Sequence, residues 1–239
     1  MRFRLSASGP LPLLPAPEKP IVCYVTDRKA FGTQDALSKL RPSIHLAAAS
    51  GVDWIQVREK DLPAKSLLEL ATFALDLGPP EKRTKNGFPR VLVNDRLDVA
   101  IAAGAHGVHL GQASLPIDDV VSWARRGIAR KGFLLGVSCH RVEEARTAAA
   151  AGAGYILFGP IFDTPSKRSF GAPLGLDRLR SACQAVTIPV IAIGGVNAAN
   201  GCECIMAGAA GIAAIRMFQE ANDEDELREA IEGIRSAKR

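Results

Sequence analysis

AGAGYILFGP, residues 151–160, sets the end of a helix against the start of a strand, and the fold follows from how often the chain repeats that junction. Ala151-Gly152-Ala153-Gly154 supplies the glycine that a helix uses when its last turn closes through a left-handed residue. Tyr155 to Phe158 is a short apolar run of strand type, cut off by Gly159-Pro160. The same junction recurs at Ala49-Ser50-Gly51-Val52, Ala103-Gly104-Ala105-His106 and Ala207-Gly208-Ala209-Ala210, with glycines 53, 48 and 56 residues apart. Each interval holds two strand-helix units, so the motif precedes every second strand.

Working outward, strands are predicted over 21–26, 54–57, 91–94, 107–110, 134–137, 155–158, 190–193 and 211–215. Periodic helices are predicted over 62–77, 117–129, 142–151 and 176–185, with a last one over about 223–237 behind an acidic first turn. Eight units with a two-unit periodicity predict an α/β fold of the (β/α)₈ TIM barrel type, a single domain over 21–239 whose interior layers come from alternate strands. An open doubly wound sheet is the competitor. It would carry a glycine fingerprint after the first strand, where this chain has Thr26-Asp27-Arg28.

Composition bounds the function. Of 239 residues 47% are apolar, enough for a sizeable core, and the net charge is only +5 with no basic run interleaved with aromatic residues. Anionic metabolites suit that balance, and nucleic acid is not the expected partner. Lys82, Arg83, Lys85 and Arg90 surround Asn86-Gly87 and Pro89 and read as a solvated connection. Five cysteines at irregular spacings fit a reducing cytoplasm rather than a disulfide framework. No apolar run reaches 18 residues, so no membrane span is expected. Residues 1–20 read as a disordered proline-rich tail, because Pro10, Pro12, Pro15 and Pro17 interrupt any signal-type run. A homo-oligomer is compatible with all of this.

In a barrel, the residues after each strand share one rim, where chemistry is done. After the second strand come Gln56, Arg58 and Lys60, alternating in QVREK; after the third, Asn94 and Asp95; after the fourth, Gln112. The fifth is followed by Ser138 and His140, the sixth by Thr164, Ser166 and Lys167, and the seventh ends in Gly194-Gly195. Cations, amides, a carboxylate, hydroxyls and glycine amides thus converge from distant parts of the chain. Arg58 and Lys60 suit a diphosphate. Asp95 suits Mg²⁺, which takes few protein carboxylates and completes its shell with water and phosphate oxygens. Gly194-Gly195 lies where such barrels bind a monophosphate through backbone amides. His109, His45 and His106 read as packed structural histidines.

Five ordered motifs, QVREK, VNDRLDVAIAAGAHGVHLGQ, GVSCH, FGPIFDTPSK and IPVIAIGGV, closely resemble the thiamine phosphate synthase family and its sister group, the TenI-like thiazole tautomerases, over about residues 21–218. The resemblance implies a barrel enzyme that joins hydroxymethylpyrimidine diphosphate to hydroxyethylthiazole phosphate with release of diphosphate. It implies that Arg58, Lys60, Asn94 and Lys167 hold the diphosphate, that Gln56 lies near the pyrimidine and that Asp95 binds Mg²⁺. It also implies Ser138 near the reacting centre and Thr164, Ser166 and Gly195 on the thiazole phosphate. Two positions depart from the pattern. Ser114 stands where the synthases have a second metal-binding aspartate, with Asp118 nearby, and Arg216 stands where a small hydroxyl residue is usual. A tautomerase would shift a proton through a histidine matched by His140, a side-chain type able to act as acid or base. It would have no use for the diphosphate set. A non-catalytic sensor of phosphate ligands is the third alternative, prompted by Ser114 and Arg216.

Overall fold

Apolar runs of four to six residues, buried along nearly their whole length, are too short to pay for isolated helices and suit parallel strands covered on their outer face. The computed structural model describes residues 14, 17–32, 35–77, 88–124, 132–164 and 172–237. Within them the runs form β1 (Ile21–Val25), β2 (Trp54–Val57), β3 (Arg90–Asn94), β4 (Gly107–Leu110), β5 (Leu134–Cys139), β6 (Tyr155–Phe158), β7 (Val190–Ile193) and β8 (Gly211–Ala214). Each pairs in parallel with the next, and β8 returns to β1 with Ile21 opposite Gly211, which closes the barrel.

Helices fill the intervals: α1 (Ala36–Ala49), α2 (Ala64–Leu75), α3 (Leu97–Ala102), α4 (Ile117–Trp123), α5 (Val142–Ala150), α6 (Gly175–Ala185), α7 (Gly201–Met206), α8 (Arg216–Gln219) and α9 (Glu224–Ser236). The four junction glycines all adopt the left-handed conformation that the repeat demands, with φ of 88° at Gly51, 68° at Gly104, 98° at Gly152 and 100° at Gly208. The strand alternation splits the apolar residues into two clusters. Cys23, Val25, Trp54, Leu92, Leu134, Tyr155, Leu157 and Ile191 fill the barrel interior. Their sequence neighbours, Tyr24, Ile55, Val91, Val93 and Ile156 among them, pack outward against helices.

Differences from the sequence reading are small and local. β5 runs on to Cys139, so Ser138 lies inside the strand rather than after it. The helix predicted over 117–129 ends, within the described residues, at Trp123, and 125–131 lie outside them. Most of the predicted tail, and Lys82, Arg83 and Lys85, also lie outside the described residues. Its end is tied down: Leu14 packs on the interior cluster and Lys19 Nζ lies 3.5 Å from Asp53.

Candidate active site

The two-residue period that puts Leu92 and Leu134 inside the barrel also turns Asn94, His109 and Ser138 inward near the carboxyl ends of their strands. Polar side chains there must find partners, and they find one another. Gln56 is 1% exposed and donates from Nε2 to Asn94 Oδ1 at 3.0 Å. Asn94 Nδ2 donates to Asp95 Oδ2 at 2.6 Å, while Asp95 Oδ1 accepts from Gly111 N at 3.1 Å and from the Ser114 hydroxyl. Asp95 has φ 60°, left-handed backbone that Asp tolerates better than most residues, and this turns its carboxylate back between β3 and β4. The run leaves Gln56 Oε1 buried without a partner among the described residues, an acceptor held ready for a ligand N–H.

Next to this run stand the cations. Arg58 donates its backbone N–H to Thr26 Oγ1 at 2.8 Å, and among the described residues its guanidinium has only a 3.5 Å contact with Asp27, so the fork is loosely held and partly exposed. Lys60 is exposed. Glu59, between them, is buried and bound by Arg28 through its backbone N–H at 3.2 Å and Nη1 at 3.0 Å. Arg28 also grips Asp61 at 2.7 Å and so holds the Asp61 carboxyl far below the usual carboxylate range. Sequence reasoning missed Glu59 and Arg28. The alternation that sets Arg58 and Lys60 to one side already placed Glu59 on the other.

His109 is buried as expected, yet its partners are not merely structural: Nε2 lies 2.8 Å from Ser138 Oγ and Nδ1 3.1 Å from the Tyr155 hydroxyl. Burial pushes its pKa down to about 3; Asp95 opposes that shift and Arg58 adds to it. Burial thus favours the neutral imidazole. His140 donates from Nδ1 to the carbonyl of Gly159, and its backbone N–H reaches Glu144 at 2.7 Å.

Across the rim, Gly194 and Gly195 have φ of 93° and 69°. A Cβ on Gly194 would lie 2.5 Å from Pro160, and one on Gly195 2.5 Å from the Asp163 carbonyl, so the glycines also let the segment after β6 pack closely here. Thr164 sits on that segment, half-buried, while Ser166 and Lys167 lie outside the described residues. Arg216 opens α8, exposed, 3.8 Å from Glu220. Asp118 is exposed in the first turn of α4.

A group of three or more His, Cys, Asp or Glu side chains able to hold a metal is absent among the described residues. Asp95 with the Ser114 hydroxyl beside it still fits Mg²⁺, a cation content with one carboxylate, water and ligand phosphate oxygens. Nor is any helix in the described residues long and apolar enough to cross a membrane.

Comparison with known proteins agrees with this architecture. A family model described as thiamine monophosphate synthase matches residues 22–218. The chain is 38% identical over 211 residues to the thiamine-phosphate synthase of Roseiflexus castenholzii, covering 88% of this chain and 86% of that one. It is 47% identical over 169 residues to that of Methanocella arvoryzae, covering 71% and 74%. The solved thiamine phosphate pyrophosphorylase of Pyrococcus furiosus superposes with a TM-score of 0.72 at 31% identity, over 90% of this chain and 96% of that one. A match that runs from β1 to α8 takes in every strand of the barrel and every rim residue described above, and by it the chain belongs to the thiamine monophosphate synthase family.

Proposed function

We propose that this protein joins hydroxymethylpyrimidine diphosphate to hydroxyethylthiazole phosphate and releases diphosphate. The observation that carries the reading is the connected run Gln56, Asn94 and Asp95 beside Arg58 at one rim of the barrel. Breaking the carbon–oxygen bond of a pyrimidinylmethyl diphosphate sends both electrons to the departing oxygen. The barrier then falls in proportion to the positive charge and hydrogen-bond donors already fixed around it. Arg58, Lys60 and Lys167 supply charge, and Asn94 an amide. Ser138 lies near the reacting carbon, and Gln56 Oε1 accepts from the pyrimidine. No protein nucleophile is needed, since the thiazole nitrogen supplies the electron pair of the new bond.

Asp95, with the Ser114 hydroxyl beside it, would hold Mg²⁺. When bound, the ion neutralises charge on the diphosphate oxygens. Thr164, Ser166, Gly194 and Gly195 take the thiazole phosphate through hydroxyls and backbone amides, and Arg216 adds a fixed charge at the same end.

Purified protein supplied with both substrates and Mg²⁺ should form thiamine phosphate and diphosphate in equal amounts. Isomerisation of the thiazole alone would instead assign the chemistry to His140 as a tautomerase base. Tight binding without turnover would make the chain a sensor.

A further inference from the structure

Behind the rim, a hydrogen-bonded file runs from Ser138 into the barrel interior, to two groups that have no part in the reaction itself, His109 and Tyr155. Asn94, His109, Gly136 and Tyr155 stand opposite one another on β3, β4, β5 and β6. A Cβ on Gly136 would lie 2.0 Å from Tyr155 Cζ and 2.3 Å from its hydroxyl oxygen. The tyrosine ring thus occupies the place a β5 side chain would take, and this is how its hydroxyl crosses two strands to His109 Nδ1, 3.1 Å away. Trp54 backs the ring edge-on, with centroids 4.8 Å apart. Beyond the imidazole, Nε2 meets Ser138 Oγ at 2.8 Å, two residues up β5 from Gly136.

The protons in this file can be placed. Tyr155 is wholly buried, and burial raises its pKa well above 10, so the phenol keeps its proton. Among the described residues that hydroxyl's hydrogen bond goes to His109. Leaving a buried O–H without an acceptor costs about 1–3 kcal/mol, so the phenol donates to Nδ1. A ring nitrogen that accepts the phenol O–H carries no proton of its own, so the imidazole N–H is at Nε2, donating to Ser138 Oγ. The serine oxygen is then satisfied from behind, and its own proton is left to face the rim.

We propose that Tyr155 and His109 are positioning residues that make Ser138 a hydrogen-bond donor toward the ligand, an O–H set for the oxygens of a departing diphosphate. This rests on the synthase reading. The Ser138 proton stays on serine throughout: the carbon–oxygen bond breaks with its electron pair going to diphosphate, and the carbon–nitrogen bond forms from the thiazole lone pair. With the opposite tautomer, Ser138 would donate to Nε2 and turn only lone pairs toward oxygens that are gaining negative charge.

Two measurements test the file. Imidazole ¹⁵N NMR, with His109 assigned through His109→Gln, should show the proton on Nε2; a proton on Nδ1 overturns the proposal whether or not the enzyme is active. In steady-state kinetics, Tyr155→Phe keeps the ring against Trp54 and should lower kcat about tenfold with KM little changed, the size of one lost hydrogen bond. In a Ser138→Ala background the same substitution should cost nothing, because it acts only through the serine. Equal losses in both backgrounds would make Tyr155 a packing residue and overturn the proposal. His109→Gln, which keeps an N–H at the Nε2 position, should retain most of the activity that His109→Ala loses. If the wild-type protein makes no thiamine phosphate, the synthase reading falls, and the tautomer observed by NMR still decides the file.

Discussion

Gln56 donates its carboxamide N–H to Asn94 Oδ1 at 3.0 Å, and because Asn94 in turn donates to Asp95 at 2.6 Å, the direction of every amide in the run is set by one carboxylate. An amide can be read either way round; a carboxylate can only accept. Asp95 therefore dictates that Gln56 presents an acceptor, not a donor, to the site.

Gln56→Glu tests that polarity. The new carboxylate would set an oxygen against Asn94 Oδ1, and relief by flipping Asn94 would set that oxygen against Asp95. Either way a buried polar contact to a charged group is lost, worth about 1.5–3 kcal/mol. The expected result is a fall of about 10- to 100-fold in kcat/KM for the pyrimidine diphosphate. An unchanged value would mean that the run does not orient Gln56 for the ligand.

Ser114 and Asp95 make the second prediction. The Ser114 hydroxyl donates to Asp95 Oδ1, neutral where a second carboxylate would pull a cation in. Ser114→Asp would place two carboxylates together, and should tighten Mg²⁺ binding at least about tenfold, equivalent to about 1.4 kcal/mol. The readout is thermal: adding Mg²⁺ should raise the variant's Tm by about 2–4 °C more than it raises the wild type's. Equal shifts would remove Asp95 from the metal site.

How much of this could be read from the chain is instructive residue by residue. The four junction glycines located alternate strands because a left-handed helix ending is nearly a glycine monopoly, a local constraint that sequence shows directly. Gln56, Arg58, Asn94 and Asp95 were legible because strand ends in a barrel share a rim whatever their separation. Tyr155 was not. In the run YILF it looks like one more core residue, and only the register that sets it opposite Gly136, with His109 on the next strand, reveals a hydroxyl within reach of the site. His109 was read as structural for the same reason: burial is visible in a sequence, while the partner across the sheet is not. Glu59 was hidden by its neighbours, since a glutamate between an arginine and a lysine looks solvated until Arg28 is found on it.

The buried His109 gives a pH prediction. Its pKa is about 3 in the folded protein against 6.5 ordinarily, so between these values the unfolded chain binds a proton that the native one refuses. Stability must rise with pH across that window, and fall as pH drops from about 6.5 toward 3, by up to about 1.4 kcal/mol per pH unit from this group. Unfolding free energies by urea at pH 6.5 and pH 4.5 should show a steeper loss for wild type than for His109→Gln, by about 1–3 kcal/mol over the interval. Parallel pH dependences would mean that His109 is protonated in the native protein.

The last prediction separates charge from architecture at the two cations. Among the described residues Arg58 makes only a 3.5 Å contact to Asp27 through its side chain, and Lys60 is exposed, so neither side chain holds the fold together. The backbone at Arg58 is fixed independently, by its N–H to Thr26 Oγ1 at 2.8 Å. Surface contacts of this kind contribute about 0–1 kcal/mol to stability. Opposite an ionising diphosphate, each cation meets a further negative charge as the bond breaks, and losing one preorganised electrostatic group there costs about 10²–10³ in kcat. Arg58→Ala and Lys60→Ala should therefore each lower kcat by about that factor while Tm moves by no more than a few degrees. Arg58→Lys should recover little of the loss if the arginine acts as a two-pronged fork, and most of it if only a point charge is needed. Wild-type turnover in both alanine variants would separate these cations from the diphosphate altogether.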